Sequence, residues 1–317
     1  MRAVPKAVVT GAAGFIGSSL SLALLEAGVE VVGVDSLTGY YDTEIKKDNL
    51  AALLPRRGFR FIGCDIRDVD WRKEVGPEVD VFHLAGQPGV RASWGEGFSQ
   101  YVEWNISATA HLLEAVREFG CRSFVNSSSS SVYGEAESYP TSELAVPKPV
   151  SPYGVTKLAA ENLVTLYGTQ FGINSISLRY FTVFGPRQRP DMAMTKLVAA
   201  AESGDEFIVN GDGLQVRDFT YVGDIVGANI LCASSTFAPG TVVNLGGGSE
   251  TSLLQVIEII ESHVGQKINL RFSERASGDP RRTKADTTLA RQILGWSPTI
   301  GISDGLKNQV EWYQSRP

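Results

Sequence analysis

Thr10-Gly11-Ala12-Ala13-Gly14-Phe15-Ile16-Gly17 follows the short apolar run Ala7-Val8-Val9 and precedes an amphipathic stretch that reaches about Ala27. The run predicts a buried strand, the glycines a tight turn, and the stretch after them a helix from about Gly14. Glycines at such a turn let backbone approach a pyrophosphate, and the helix N-terminus offers unpaired N–H groups and the positive end of its dipole. Gly17 lets the helix pack closely on the strand. A glycine pattern alone also fits a purely structural turn, so the surroundings carry the decision.

The surroundings repeat the unit. Residues 29–34, 60–64, 79–85, 123–127 and 175–179 read as further strands separated by helical stretches. Strands alternating with helices predict an α/β fold of the Rossmann type, a doubly wound parallel sheet with right-handed crossovers and helices on both faces. After about Gly185 the elements shorten and turn-rich segments at 185–190 and 246–248 interrupt them. We expect residues 1–185 to form a dinucleotide-binding domain. Residues 186–317 should form a smaller, mostly C-terminal α/β lobe, part of which can return to the main sheet. Ligands bind open parallel sheets beyond the carboxyl ends of the strands, so the cleft between the lobes is the expected site.

Composition narrows the class. The chain has 317 residues, 43% of them apolar and 20% charged, as in an ordinary globular protein. A formal net charge of −6 argues against a nucleic-acid surface, while leaving room for a few arginines around a small anion. No apolar run approaches the roughly 20 residues that span a bilayer. Glycines follow the first apolar run where a cleavage site would stand, so it reads as a strand and not a signal peptide. Cys64, Cys121 and Cys232 are scattered, as free thiols in a reducing cytoplasm would be. His83, His111 and His263 are dispersed too, and no bound metal is expected.

Two acids accompany the glycine turn. Asp35 follows the second strand at about the 20-residue separation expected of a carboxylate that binds a ribose diol. Ser36 and Leu37 come next, with no Arg to receive a 2′-phosphate, which favours NAD over NADP. Asp65-Ile66-Arg67-Asp68 ends the third strand. There a carboxylate would reach an adenine amine, or simply cap a turn.

Ser151-Pro152-Tyr153-Gly154-Val155-Thr156-Lys157 separates a Tyr from a Lys by one helical turn, placing both on one face if a helix starts near Pro152. A phenol near pKa 10 is a poor base at neutral pH. A neighbouring ammonium and a cationic nicotinamide would favour phenolate. Tyr153 would then remove a hydroxyl proton as hydride leaves the carbon. The same spacing also occurs in plain surface pairs. Upstream, Asn126-Ser127-Ser128-Ser129-Ser130-Ser131-Val132-Tyr133-Gly134 ends another strand, where Ser129 can bridge a substrate hydroxyl and Tyr153. Most of the five serines fit a hydrogen-bonded turn equally well.

The glycine motif, His83-Leu84-Ala85-Gly86, the serine strand, Tyr153/Lys157 and Arg217-Asp218-Phe219-Thr220-Tyr221-Val222 occur in one order along the chain. That order resembles the extended short-chain dehydrogenase/reductase family of nucleotide-sugar epimerases and dehydratases, from Lys6 to about Trp312. The resemblance implies catalytic roles for Ser129, Tyr153 and Lys157. It implies NAD contacts at Gly11, Gly14, Phe15, Ile16, Gly17, Asp35, Asp65, Ile66, Leu84 and Ala85, together with Tyr153 and Lys157. Arg217 and Asp279 match positions that hold a nucleotide, and Arg282 is a further anion-binding candidate.

Family members share oxidation at C4 to a 4-keto sugar. The family's dehydratases and uronate decarboxylases carry acids before Val-Tyr-Gly, where this chain has Ser129, Ser130 and Ser131. That difference points to epimerisation. Gly39-Tyr40-Tyr41-Asp42, Gln87-Pro88-Gly89-Val90-Arg91 and the stretch from Arg179 to Gly185 with Arg189-Pro190-Asp191-Met192-Ala193 are similar to UDP-glucuronate 4-epimerases. Thr182 takes a place that is usually Asn in UDP-glucose epimerases. With Ser128, Ser129, Ser130, Val90, Arg91 and Arg189 it would line the sugar site, offering hydroxyl donors to a C6 carboxylate. A 4-keto uronate is a β-keto acid, and neutral donors hold its carboxylate away from the alignment that releases CO₂. Thr182 can equally be a packing residue. Pro88 departs from a loop that often carries Ala.

The expected partner is therefore a UDP-sugar, with neither nucleic acid nor membrane. Other outcomes remain: a UDP-glucose or UDP-N-acetylhexosamine 4-epimerase, then a UDP-glucuronate decarboxylase, and, in a different class, a non-catalytic dinucleotide sensor on this fold. Joint retention of Ser129, Tyr153 and Lys157 speaks against the last. Helical stretches at 99–119 and 153–171 could pair across a two-fold axis in a homodimer, or only cover the sheet.

Overall fold

The computed structural model describes residues 5–233, 235–274, 278 and 280–316. Its centre is a seven-stranded, all-parallel sheet. The first six strands are β1 (Lys6–Thr10), β2 (Glu30–Val34), β3 (Phe59–Ile62), β4 (Val79–His83), β5 (Ser123–Ser129) and β6 (Ser175–Tyr180). Thr241–Leu245 completes the sheet beside β6, giving the order Thr241–Leu245, β6, β5, β4, β1, β2, β3. Chain order reverses between β1 and β4, which opens a crevice at their carboxyl ends. The fold is the doubly wound Rossmann type.

Residue alternation explains why both faces are covered. Ala7 and Val9 of β1, Phe82 of β4 and Val125 of β5 belong to a core shared with helix α1 (Phe15–Glu26) and the helix Val222–Ala233. Val8, Val81 and Phe124 point the other way, into a core with α4 (Ala108–Phe119) and α5 (Pro152–Phe171). Two short helices precede α4: α2 (Thr43–Ala51), beyond β2, and α3 (Phe98–Tyr101). The stretch expected to be one helix over 99–119 is helical but not uniform. Residues Val102–Ser107 form a π-helical segment between α3 and α4, and Asn105 turns its buried side chain inward there.

A separate core lies beyond β6. The helix Ala193–Ser203 packs Met194, Leu197, Val198 and Ala201 against Phe207 and Val209 of the Glu206–Asn210 strand, and against Val256, Ile260, Leu306 and Val310. That strand pairs in parallel with Asn269–Ser273. The chain thus leaves the main sheet after β6 to begin this smaller lobe, crosses back for its seventh strand, and then completes the lobe. No helix among the described residues is long and apolar enough to cross a membrane.

Candidate active site

The crevice at the chain reversal begins with a hydroxyl. Thr10 ends β1 opposite His83 of β4, and its Oγ1 lies 2.9 Å from His83 Nδ1. The same oxygen accepts the N–H groups of Leu84 and Ala85, both at 3.1 Å. His83 Nε2 meets Thr109 Oγ1 at 2.9 Å. Burial, reinforced by the Lys157 charge, pushes the imidazole down to about 3, so His83 is a neutral structural bridge.

Above this bridge Gly11 adopts φ +71°, and a Cβ there would stand 2.9 Å from Ala85 N. A Cβ on Gly17 would come within 2.1 Å of the Gly11 carbonyl oxygen, so only glycine lets α1 sit this close to the turn. Gly14 caps α1 without a side-chain acceptor for the first-turn amides, and Phe15 and Ile16 of that turn line the cleft. Asp35, buried at the end of β2, accepts Ala13 N–H at 3.1 Å and Leu37 N–H at 2.8 Å. A carboxylate has room for further donors, so these bonds leave acceptor capacity for a ribose hydroxyl. This cradle fits a pyrophosphate and an adjoining ribose. Asp65 lies in the same wall, yet also caps a 3₁₀ turn through Arg67 N–H and holds the Arg67 guanidinium in two bonds at 2.9 Å. Of the functions weighed for it from sequence, the structure shows the turn cap, on a residue that also lines the cleft.

A single cleft of about 430 Å³ runs from this cradle past the ends of β4, β5 and β6. Gly11, Gly14, Phe15, Ile16, Gly17, Asp35, Asp65, Ile66, Leu84 and Ala85 line one end, and Val90, Ser128, Ser129, Ser130, Thr182 and Arg189 the other, with Tyr153 and Lys157 between. The helix that carries Tyr153 starts as its residues dictate. Ser151 accepts Gly154 N–H at 3.1 Å, Pro152 fills the first turn, and Gly172 closes the far end at φ 70°. Gly154 is essential to the approach, since a Cβ would lie 2.5 Å from the Ser131 carbonyl oxygen. That contact brings Tyr153 beside Ser129.

The protein's own groups act on the Tyr153 phenol in both directions. Burial raises its pKa above 10.0, and the Ser129 hydrogen bond and Arg189 charge lower it without reversing the shift. Burial also pushes Lys157 down to about 8, against the raising charge of Glu161.

At the end of the cleft away from the glycine turn, Arg189 spends Nε and Nη2 on Asp191, at 2.9 Å each. The Tyr40 hydroxyl lies 3.5 Å from Asp191 Oδ2. Thr182 follows β6 and accepts Thr220 N–H at 2.9 Å through its carbonyl, so its hydroxyl is not used in the backbone link. The loop through Gln87, Pro88 and Gly89 is pinned by Tyr101, whose hydroxyl donates to the Pro88 and Gly89 carbonyls at 2.7 Å.

The remaining basic candidates lie outside the lining of this cleft. Arg91 reaches the smaller lobe, with both terminal nitrogens 3.2 Å from the Asn210 side-chain oxygen when that amide is oriented to accept. Arg217 donates to the Val216 and Arg281 carbonyls. Arg282 stacks on Tyr139, 4.8 Å from the ring centre, and pairs with Glu250 at 2.5 Å. Gly278 sits against Val90 and Trp94 and so borders the loop of Arg91. Asp279 lies outside the described residues.

Several residues escaped sequence reasoning. Asn105 accepts Gln87 N–H at 2.6 Å and donates to Gln87 O and Thr156 Oγ1, tying the Pro88 loop to α5. Only its inward turn in the π segment reveals it. Glu161, one turn past Lys157, accepts Ser128 Oγ at 2.6 Å and two Arg179 nitrogens. The extension of the Tyr–Lys spacing by four more residues was a usable signal. Lys46 places its ammonium 3.5 Å from Asp35 and over the Tyr41 ring, a cation beside the ribose position that inspection of Ser36 and Leu37 does not find.

Residues 7–246 match the NAD dependent epimerase/dehydratase family. The chain is 38% identical to a UDP-glucuronate 4-epimerase of Thermodesulfobacterium geofontis, over 96% of this chain and 95% of the relative. It is 42% identical to an uncharacterized UDP-glucose epimerase of Bacillus subtilis, YtcB, over 98% of each. The crystal structure of a UDP-glucuronic acid 4-epimerase from Bacillus cereus, in complex with UDP-glucuronic acid and NAD, superposes with a TM-score of 0.93. It is 42% identical, with 98% of this chain and 99% of that one covered.

Proposed function

The chain belongs to the NAD dependent epimerase/dehydratase family, and from its cleft we propose that it inverts C4 of a UDP-hexuronic acid, interconverting UDP-glucuronate and UDP-galacturonate through a transient 4-keto sugar. One observation carries the reading. The sugar end facing Tyr153 combines Thr182, the serines and a basic Arg189, while the acids that line the cleft, Asp35 and Asp65, stand at the cofactor end. A C6 carboxylate finds donors there, and no carboxylate of the serine segment is available to take a proton from C5.

NAD, when bound along the glycine cradle, supplies the hydride acceptor for oxidation at C4 and the donor for the return. The protein's own part is proton traffic and orientation. Ser129 receives the C4 hydroxyl, Tyr153 takes its proton through the phenolic oxygen, and Lys157 stabilises the phenolate at close range. Turning the keto sugar over presents its other face, and Tyr153 returns the proton to the new alcohol. Thr182 and Ser130 hold the C6 carboxylate through neutral donors, Ser128 lines the same wall with its hydroxyl donated to Glu161, and Val90 and Arg189 complete it. Arg91, Arg217, Asp279 and Arg282 belong to the UDP end.

In this reading residues 1–185 form the cofactor domain and 186–317 mostly the substrate lobe. The protein works as a homodimer through α4 and α5, the latter of which leaves Val155, Leu166 and Phe171 exposed. Its place is the cytoplasm, consistent with free cysteines, of which Cys121 and Cys232 are pushed up to about 12 by burial. A neutral hexose is the second reading. It is favoured by the Arg189–Asp191 pair, which leaves no unpaired cation when no substrate carboxylate arrives.

The test is incubation of purified protein with UDP-glucuronate, chromatography of the nucleotide sugars and parallel CO₂ measurement. The expected product is UDP-galacturonate, with little UDP-pentose and no external NAD⁺. Far better turnover of UDP-glucose overturns the uronate assignment. A dominant UDP-pentose product overturns the argument from the missing acids.

A further inference from the structure

Arg189 is the cation at the sugar end of the cleft, and its Nε–Nη2 edge is already filled. Asp191 takes that edge with both oxygens, at 2.9 Å and 2.9 Å, in the geometry by which a guanidinium binds a carboxylate most strongly. The pair is partly buried, with side-chain exposures of 18% and 31%. Tyr40, from the segment after β2, reaches Asp191 as well, so the acid is held from two sides. A substrate carboxylate approaching Arg189 meets a guanidinium whose fork is occupied by the protein's own carboxylate.

We propose that Asp191 is a specificity-determining residue, which withholds the bidentate edge of Arg189 from the C6 carboxylate of a uronate substrate. The inference rests on the uronate reading above and deepens it. Two consequences follow from the chemistry. A uronate is attracted to the cleft more weakly than an unpaired arginine would attract it, because two carboxylates share one cation. The sugar is also left free to turn, since a C6 group clamped by two parallel hydrogen bonds would anchor the ring that must present both faces of C4. A neutral hexose competes with nothing at this edge and finds Arg189 already satisfied.

The test uses the NAD-loaded enzyme and its Asp191→Asn variant, with KM and kcat measured for UDP-glucuronate and UDP-glucose. Calorimetric binding of both sugars and of UDP runs beside the kinetics. Removing a carboxylate that shares a guanidinium should lower the UDP-glucuronate KM about tenfold, since charges a few ångströms apart interact strongly in a partly buried site. The uronate kcat should fall with it, while UDP-glucose constants and UDP affinity stay within about twofold, because neither ligand uses that edge. Asp191→Glu should restore wild-type discrimination.

A rise in uronate KM would make Asp191 a mere holder of Arg189 and overturn the proposal, as would an equal shift for both sugars. Asp191→Ser repeats the neutralisation in a smaller side chain. If neither neutral variant folds and retains NAD, the acid is structural and the proposal falls. Wild type that turns over neither sugar removes the epimerase reading alone. Binding of UDP-glucuronate against UDP-glucose needs no turnover and still decides the role of Asp191.

Discussion

Replacing Glu161 with Gln should weaken both the fold and the base. Glu161 and Arg179 are 3% and 5% exposed, and Glu161 satisfies Arg179 Nη2 at 2.6 Å, Arg179 Nε at 2.9 Å and Ser128 Oγ at 2.6 Å. Glutamine keeps the volume but replaces one acceptor oxygen by an NH₂ group among donors. Ser128 can rotate to accept; Arg179 cannot. Losing one partner of a buried pair costs about 3–5 kcal/mol, because the other charge stays buried and unpaired. At an unfolding entropy of about 0.7 kcal/mol per kelvin for a chain of this length, the melting temperature should drop by about 4–7 K.

The functional effect has a defined sign. Lys157 is already pushed down to about 8 by burial, and the Glu161 charge is what raises it. An ammonium exists below its pKa, so removing Glu161 makes Lys157 lose its proton at lower pH, and the newly unpaired Arg179 pushes the same way. The alkaline limb of kcat/KM should therefore move to lower pH in the variant. Circular dichroism melting of the NAD-loaded protein and a pH–rate profile read the two effects. The Glu161→Leu/Arg179→Leu double variant should recover much of the lost stability, since it leaves no charge behind. A single variant that melts within about 1 K of wild type, with an unmoved pH profile, would refute the reasoning.

Other outcomes follow from the same geometry. Tyr153→Phe should lower kcat by about 10²–10⁴-fold while UDP binding measured by calorimetry is kept, because one proton-transferring hydroxyl is lost and the ring remains; retention of most turnover would make Tyr153 structural. Gly17→Ala sets a methyl against the Gly11 carbonyl at 2.1 Å, so co-purifying NAD(H), read by absorbance and mass after denaturation, should largely disappear. Thr182→Val keeps the shape but removes the hydroxyl, and should raise the UDP-glucuronate KM and the CO₂ released per turnover; an unchanged KM would return Thr182 to packing.

What could be read without coordinates is what depends on neighbours in the chain. The Ala7–Val9 run, the glycines at 11, 14 and 17 and the acid at 35 define a strand, a turn, a helix and a carboxylate at the end of the second strand through local spacing alone. The four-residue step from Tyr153 to Lys157 likewise needs only a helix, and Ser151 and Pro152 announce where it starts. These predictions hold because strand and helix periodicity fix side-chain direction over a few residues.

Tertiary structure decided what depends on burial and on partners distant in sequence. The π segment that aims Asn105 at Gln87 and Thr156 has no periodic signature. Desolvation raises the pKa of Tyr153 and lowers that of Lys157, which the spacing cannot report. Arg189 and Asp191 stand two residues apart, and sequence named only the arginine as a sugar contact. Folding showed that its fork is already taken, because a cation in a partly closed cleft draws a counter-charge before any substrate arrives.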